Sequence, residues 1–364
     1  MTRAPLLAAL VLAACGDTAP PGFSSGSAVT SVSGTTSGSS TSGDSSSTSS
    51  ADVSTGSSTG ESTGIIRDVG AETDFGTGQP LGCQGKVDLL FLIARSGNMK
   101  YVQDQFLASL PGFVQTIEDK LEGFDVHIMT ANPDGDWPGY ACQSSPNGCQ
   151  KFYPTCGPGS ENWDCEKSVQ EWRPCDSELG AGNTFNAGWY ATNERCELFG
   201  DNRYIISGEP DLAGNLECIA KVGTAGGAKI GDALMAAVSP KLNAPTGCNA
   251  GFLRDDALLV VVIIHNTEDW SLSSPKTQYD KVIAAKKDPG AVVMLAITAP
   301  LPPGEGEPLD PDCIYDDGGE IDYLPLLEQF PYHLRGNVCT DSYVPFFEDA
   351  VAMIDEACGK FVPK

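Results

Sequence analysis

Three apolar segments limit what this chain can fold into. Residues 257–264 read ALLVVVII without a polar side chain, and the segments 87–93 and 291–299 are nearly as apolar. Such runs are typical of parallel strands that are covered by helices on both faces. The stretch between 102 and 121 has apolar residues at spacings of three and four, which indicates an amphipathic helix. This alternation predicts an α/β fold: a doubly wound, mostly parallel sheet with helices on both faces.

Shorter elements complete the predicted fold. A strand is expected at Asp125–Ala131, and an edge strand at 203–206 could add to the sheet. Near the end of the chain the pattern predicts a short helix at 323–330, a last strand at 336–340 and a final helix.

The first 80 residues are predicted to be a leader and a linker rather than part of the folded domain. Residues 1–14 read as a signal peptide, and its last residues with Cys15 match the lipobox of bacterial lipoproteins, in which this cysteine is acylated. An ordinary secretory signal peptide is the alternative. Residues 15–80 are rich in Ser, Thr and Gly and predict a disordered tether. We therefore expect export to the bacterial cell envelope and lipid anchoring to a membrane, at the outer membrane or cell surface.

The folded domain, 81–364, is predicted to contain two interruptions. Residues 132–216 hold six cysteines without a Cys-x-x-Cys pair or a histidine, so about three disulfides within a Cys-rich insertion are expected rather than a zinc site. Its aromatic residues are candidates for recognition: Trp137, Trp163, Trp172 and Trp189. The acidic, Pro-rich segment 301–322 does not match the spacing of an EF-hand and is predicted to be a solvated loop.

Charge and cysteine content narrow the partners and the compartment. The chain has 22 Lys and Arg against 48 Asp and Glu, a net charge of -26, which repels phosphate backbones. Nucleic acid is therefore not an expected partner. Thirteen cysteines indicate an oxidising compartment, in agreement with export.

The segment 86–99, KVDLLFLIARSGNM, resembles the first strand of a von Willebrand factor type A (VWA) domain. The resemblance extends over about 86 to 358, apart from the two interruptions. It implies a divalent cation at the carboxyl edge of the sheet, held by an Asp-x-Ser-x-Ser turn, a Thr and a second Asp, with a partner protein completing the coordination. The family's ligand positions fall on Ala94, Ser96, Asn98, Thr224 and Asn266.

The family's two carboxylates are thus replaced by Ala94 and Asn266, so we expect a degenerate site and no resident cofactor. Glu268 and Asp269 are candidate substitute carboxylates, through which Ca²⁺ or Mg²⁺ could still bind. The family topology brings the chain ends together. It thereby implies a disulfide between Cys83 and Cys358; a second suggested pair is Cys313 with Cys339.

These features predict a lipid-anchored cell-surface protein that is not an enzyme and that uses a VWA-like domain for protein binding or adhesion. Two alternatives stay open. One is a divalent-metal-dependent adhesion module. The other is a serine hydrolase with Ser96 as nucleophile and His265 as base, because both end strands that the family topology places side by side. The chain has no Gly-x-Ser-x-Gly elbow around Ser96, which disfavours hydrolysis.

Overall fold

The computed structural model describes residues 83, 85–121, 123–135, 172–266, 268–299 and 323–361. By packing, the chain divides into Met1–Val69 and Gly70–Lys364, and all the described residues belong to the second unit. The predicted leader, the tether with Cys15, the 301–322 loop and the first part of the insertion lie outside the described residues. The elements are β1 (Lys86–Ile93), α1 (Lys100–Lys120), β2 (Asp125–Ala131), β3 (Ile205–Ile206), α2 (Leu212–Ala220), α3 (Ile230–Ala237), α4 (Pro240–Asn243), β4 (Leu258–His265), α5 (Pro275–Lys286), β5 (Val292–Thr298), α6 (Leu324–Leu327), β6 (Tyr332–Asn337) and α7 (Val344–Lys360).

The six described strands form one sheet in the order β3-β2-β1-β4-β5-β6. All neighbouring strands are parallel except β3, a two-residue edge strand that runs antiparallel to β2. The prediction of a mostly parallel α/β sheet is confirmed. The strand order reverses between β1 and β4, and ligands of open α/β sheets bind at the carboxyl ends of the strands beside such a reversal.

Helices cover both faces of this sheet. Every residue of β4 is buried, whichever face its side chain points to. The described helices form two groups by contact: α1 packs against α2 and α7, while α3 packs against α4 and α5, and α5 against α6. Phe91 of β1 contacts Phe106 and Phe113 of α1, with ring centroids 5.6 and 5.8 Å apart, so the predicted helix stripe faces the sheet. None of the described helices is long and apolar enough to cross a bilayer.

The last strand is not where the sequence predicted it. β6 occupies Tyr332–Asn337 rather than 336–340, and α6 is shorter than the predicted 323–330 helix. Tyr332 and Leu334 pair with Val293 and Leu295 of β5, whereas His333 lies between them and is exposed. This alternation of apolar and polar residues is the signature of an edge strand, and it was overlooked in favour of the segment after it.

A disulfide joins the two ends of the described domain. Cys83 is bonded to Cys358 with their Cα atoms 4.9 Å apart, and the Cys83 N–H donates to the Cys358 carbonyl oxygen at 3.1 Å. This is the pair implied by the VWA resemblance. Cys339 is also disulfide-bonded, and the partner suggested for it, Cys313, lies outside the described residues.

Two further disulfides correct the interpretation of the insertion. Cys175 pairs with Cys248 and Cys196 with Cys218, so both of these insertion cysteines bond to partners beyond residue 216. The expectation that they pair within the insertion is therefore wrong. The physical reason is that this part of the insertion is not a separate lobe: residues 181–188 are buried throughout.

Candidate functional site

The candidate site lies at the carboxyl ends of β1 and β4. Four segments meet there, which we call the carboxyl-edge loops: 94–98, 132–135, 222–229 and 268–274. Each of the first two follows a strand directly, and the last follows β4. Because the strand order reverses between β1 and β4, this is the part of the edge where open α/β sheets commonly bind ligands.

Three of the five family ligand positions are brought together. The Ser96 hydroxyl donates to Asn98 Oδ1 at 2.8 Å, and Asn266 Nδ2 donates to the Asn98 carbonyl oxygen at 3.2 Å. Asn266 is buried, and within the described residues its Oδ1 has no hydrogen-bond partner. The three side chains thus form a local network at the ends of β1 and β4, with one unused acceptor.

The other two positions are connected through Gln103 of α1. Ala94 is fully buried, and Gln103 Nε2 donates to the carbonyl oxygens of Ala94 at 2.8 Å and Gly223 at 2.9 Å. The next residue, Thr224, is buried, and its N–H donates to the Trp189 carbonyl oxygen at 2.8 Å. A single buried amide therefore ties the end of β1 to the loop that carries Thr224.

Of the two candidate substitute carboxylates, that of Asp269 is hydrogen-bonded to the start of helix α3. Its oxygens accept hydrogen bonds from the N–H groups of Ile230 at 2.9 Å and Gly231 at 3.1 Å, at the start of α3, and from Ser271. This is a helix N-cap supplied from another loop. Burial raises the pKa of Asp269, and these hydrogen bonds oppose the rise. Glu268 is exposed.

A divalent cation does not fit the residues found at this edge. Ca²⁺ and Mg²⁺ are held mainly by carboxylates, and the oxygens offered by Ser96, Asn98 and Asn266 are neutral. The Asp269 carboxylate is bound to α3, and the nearby Asp134 carboxylate contacts Arg95 and a backbone N–H. In the part of the chain that the structure describes, no group of three or more His, Cys, Asp or Glu is arranged to hold a metal.

Arg95 and Asp134 form a buried pair at this edge that was not among the predicted site residues. Both side chains are only 1% exposed, and Arg95 Nη1 lies 3.5 Å from Asp134 Oδ1. Asp134 Oδ2 also accepts from the Gly227 N–H at 2.7 Å. The pair could have been found, because Asp134 comes shortly after β2 just as Arg95 comes shortly after β1, and parallel strands end at the same edge.

His265, the candidate base of the hydrolase alternative, is the last residue of β4 and is buried. His265 is 1% exposed, and its ring meets the Tyr323 ring edge-to-face with centroids 5.3 Å apart. Burial lowers the pKa of His265 to about 3. A general base works best with a pKa near the operating pH, so a histidine in this environment is a poor acceptor of a serine proton.

Two exposed apolar side chains stand on the last of the carboxyl-edge loops. Leu272 is 98% exposed and Trp270 is 57% exposed. The Trp270 N–H donates to the Ala228 carbonyl oxygen at 2.7 Å, and its ring lies over Gly227. This surface was not predicted either, because a lone Trp or Leu in a polar loop does not indicate whether its side chain is exposed.

The loop that carries these side chains is fixed by α3. Asp232 accepts hydrogen bonds from the N–H groups of Leu272 at 3.0 Å and Ser273 at 3.3 Å, while its own N–H donates to Ser271 Oγ at 2.9 Å. These hydrogen bonds and the Asp269 cap attach the backbone of 269–273 to α3, before and after Trp270 and at Leu272. The apolar side chains are exposed on an ordered backbone.

The tryptophans proposed for recognition in the insertion divide into two groups. Trp137 and Trp163 lie outside the described residues. Trp172 is 42% exposed, and its Nε1 donates to Ser177 Oγ at 2.7 Å, while Trp189 is half-buried beside Thr224. Tyr190, next to Trp189, is exposed, and the Lys100 ammonium lies 4.8 Å from its ring centroid.

Comparison with known proteins assigns no family. No protein-family model matches the chain, and no curated protein matches it. Among solved structures it is similar to two crystal structures of proximal thread matrix protein 1 from the mussel byssus, each at 13% identity and a TM-score of 0.35. The matches cover 75% and 76% of this chain, which spans about half, 47%, of the mussel protein. A TM-score of this size supports no conclusion about family or function.

Proposed function

We propose that this protein is a lipid-anchored protein of the bacterial cell surface whose VWA-like domain binds another protein without catalysis. The binding surface is the outer face of the carboxyl-edge loops, with Trp270 and Leu272 as its apolar anchors. The observation that carries the proposal is the nearly complete exposure of Leu272, at 98%, on a loop held in place from α3. The anchor is Cys15, and residues 15–80 serve as the tether, as the sequence suggests.

The energetics of such a loop favour binding. A few side chains near the centre of an interface supply most of its binding free energy, and Trp is among the residues most enriched there. A loop that is ordered before binding loses less conformational entropy when the partner arrives. Here Asp232 and Asp269 order the loop before binding, so holding Trp270 and Leu272 in position adds little conformational entropy loss when a partner binds.

The two alternatives have less support. A metal-dependent adhesion module would need carboxylates, and those of Asp134 and Asp269 are engaged within the protein; the one favourable observation is the unpartnered Oδ1 of Asn266. A serine hydrolase would need a basic imidazole, and burial of His265 disfavours it. We therefore propose protein binding that uses apolar contacts rather than a coordinated ion.

The proposal is tested by site-specific photo-crosslinking in the cells that produce the protein. A benzophenone amino acid at Leu272 is expected to give a discrete crosslinked species of higher mass, and Trp270→Ala is expected to weaken it at least several-fold. Phe199 is the control position, because it is an exposed apolar residue outside the carboxyl-edge loops, and its exposure, 54%, is close to the 57% of Trp270. Equal crosslinking from 199 and 272, or none from 272, would overturn the proposal.

A further inference from the structure

We infer that the buried Arg95–Asp134 pair takes over, in this chain, the role of a divalent cation at the carboxyl edge. It holds the carboxyl-edge loops together, so the edge keeps its shape in the absence of metal. The inference rests on the proposed function only in taking this edge to be the binding surface. The ion pair would hold the loops together whether or not a partner binds.

Arg95 joins the loop after β1 to two other segments of the chain. It is among the largest fully buried side chains of the described residues. Its N–H donates to the Gly227 carbonyl oxygen at 3.1 Å, and its carbonyl oxygen accepts from the Gly226 N–H at 3.0 Å. Its Nη2 donates to the Ala187 carbonyl oxygen at 3.2 Å. The loop 94–98 is thus bound to the loop 222–229 by its backbone and to the segment 181–188 by its guanidinium.

Asp134 completes the connection from the neighbouring strand. Its Oδ1 faces Arg95 Nη1, and its Oδ2 accepts from the Gly227 N–H at 2.7 Å. A Cβ at Gly226 would lie 2.0 Å from the same Oδ2, so only glycine leaves room for the carboxylate. The loops after β1 and β2 and the 222–229 loop therefore meet at one ion pair.

Electrostatics explains why this edge does not favour a cation. The Asp134 carboxylate, which could otherwise serve as a ligand, is neutralised by the guanidinium of Arg95. A divalent ion would therefore find mainly the neutral oxygens of Ser96, Asn98 and Asn266. The replacement of both family carboxylates, by Ala94 and Asn266, agrees with an edge that needs no metal.

The first test is thermal unfolding of the full-length wild-type protein in EDTA, in millimolar CaCl₂ and in millimolar MgCl₂. We expect a melting temperature that is the same within about 1 °C in all three, since a ligand raises it only by binding the folded state. Hydrogen exchange of 132–135 and 222–229 is expected to be equally slow in all three. A saturable rise above about 3 °C, or added protection with Ca²⁺ or Mg²⁺, would overturn the inference.

The second test removes each charge without removing the bulk of its side chain. Arg95→Met and Asp134→Asn are each expected to lower the melting temperature by roughly 5–15 °C, because each leaves a buried charge unpaired. The double variant is expected to lose less than the sum of the two. The control is Lys276→Met/Asp280→Asn, which removes an exposed pair and is expected to shift it by less than about 2 °C.

Single variants that melt like the wild type would overturn the inference. Should they fail to fold, the metal titration of the wild-type protein decides it. Both tests read the fold alone, so their failure is distinguishable from failure of the crosslinking experiment, which reads the partner.

Discussion

An Asp–Arg pair stands at each end of the central strands, one at their amino edge and one at their carboxyl edge, yet the two edges differ in what they expose. At the amino edge Asp88 of β1 accepts from Arg254 twice, from its N–H at 2.7 Å and from its Nε at 2.8 Å. At the carboxyl edge Arg95 Nη1 lies 3.5 Å from Asp134 Oδ1, and both side chains also bond to backbone groups of other segments. Arg254 likewise donates to the carbonyl oxygens of Val87 and Asp125, so both pairs join segments, and the amino-edge pair makes the shorter contacts.

The groups that surround the two pairs also differ. The amino edge is closed by the Cys83–Cys358 disulfide and by the buried Lys286, which donates to the carbonyl oxygens of Arg254 and Ala257. Asp255 next to it is exposed and charged. The carboxyl edge instead exposes Trp270 and Leu272. One edge is thus covered with polar and charged groups, whereas the other exposes two apolar side chains. The contrast teaches that an Asp–Arg pair at a sheet edge does not by itself determine whether the surface above it is polar or apolar.

The largest effect is expected at the amino edge. Asp88→Asn should reduce the free energy of unfolding by about 3–5 kcal/mol, because it removes the buried charge that pairs with Arg254. Urea unfolding at pH 7 measures it. The control is Asp256→Asn, which removes a partly exposed ion pair with Lys86 and should cost less than about 1 kcal/mol. A loss that small for Asp88→Asn would show that this pair does not close the amino edge.

A pH effect should come next in size, at the carboxyl edge. The pKa of His265 falls from its usual value of 6.5 to about 3 on folding, so between these values the unfolded chain binds the extra proton. Stability from this group is therefore present above pH 6.5 and is lost as the pH falls, by roughly 2 kcal/mol from pH 7 to pH 5. Urea unfolding measures this effect. Between pH 7 and pH 5 the free energy of unfolding of His265→Gln should fall by roughly 2 kcal/mol less than that of the wild type, whereas His333→Gln, at an exposed site, should behave like the wild type.

Equal pH dependence in wild type and His265→Gln would contradict the burial of a neutral imidazole at the end of β4. It would also reopen the hydrolase alternative, because an imidazole with an ordinary pKa could act as a base.

The smallest effect on stability is expected for the proposed anchors. Trp270→Ala and Leu272→Ala should change the free energy of unfolding by less than about 0.5 kcal/mol, since neither side chain is buried in the core. Leu327→Ala, in the core, should cost about 2–5 kcal/mol and serves as the contrast. Losses above about 1.5 kcal/mol for the two exposed residues would mean that they serve folding rather than binding.

Much of the sheet could be predicted from the sequence. The apolar segments at 87–93, 257–264 and 291–299 lie within one residue of β1, β4 and β5, because a strand buried on both faces leaves an unbroken apolar run. β6 was misplaced, since an edge strand is only half-buried and its alternating pattern is weak over six residues.

Less of the candidate site could be predicted. Ser96, Asn98 and Asn266 do meet, because strand ends of a parallel sheet share an edge. Asp269 was a candidate substitute for a lost metal ligand, but its carboxylate accepts hydrogen bonds from the backbone at the start of α3. Propensity and spacing carry no information about such a contact between residues nearly forty positions apart.

The sequence by itself determined the α/β class, the strands that lie in the middle of the sheet and the strand ends where polar residues gather, since these follow from which side chains avoid water. Only the tertiary structure decided which of the polar groups are paired and which apolar groups stay exposed. Arg95 pairs with Asp134, and Leu272 stays exposed, because hydrogen bonds and ion pairs act over a few ångströms and depend on how separate elements pack.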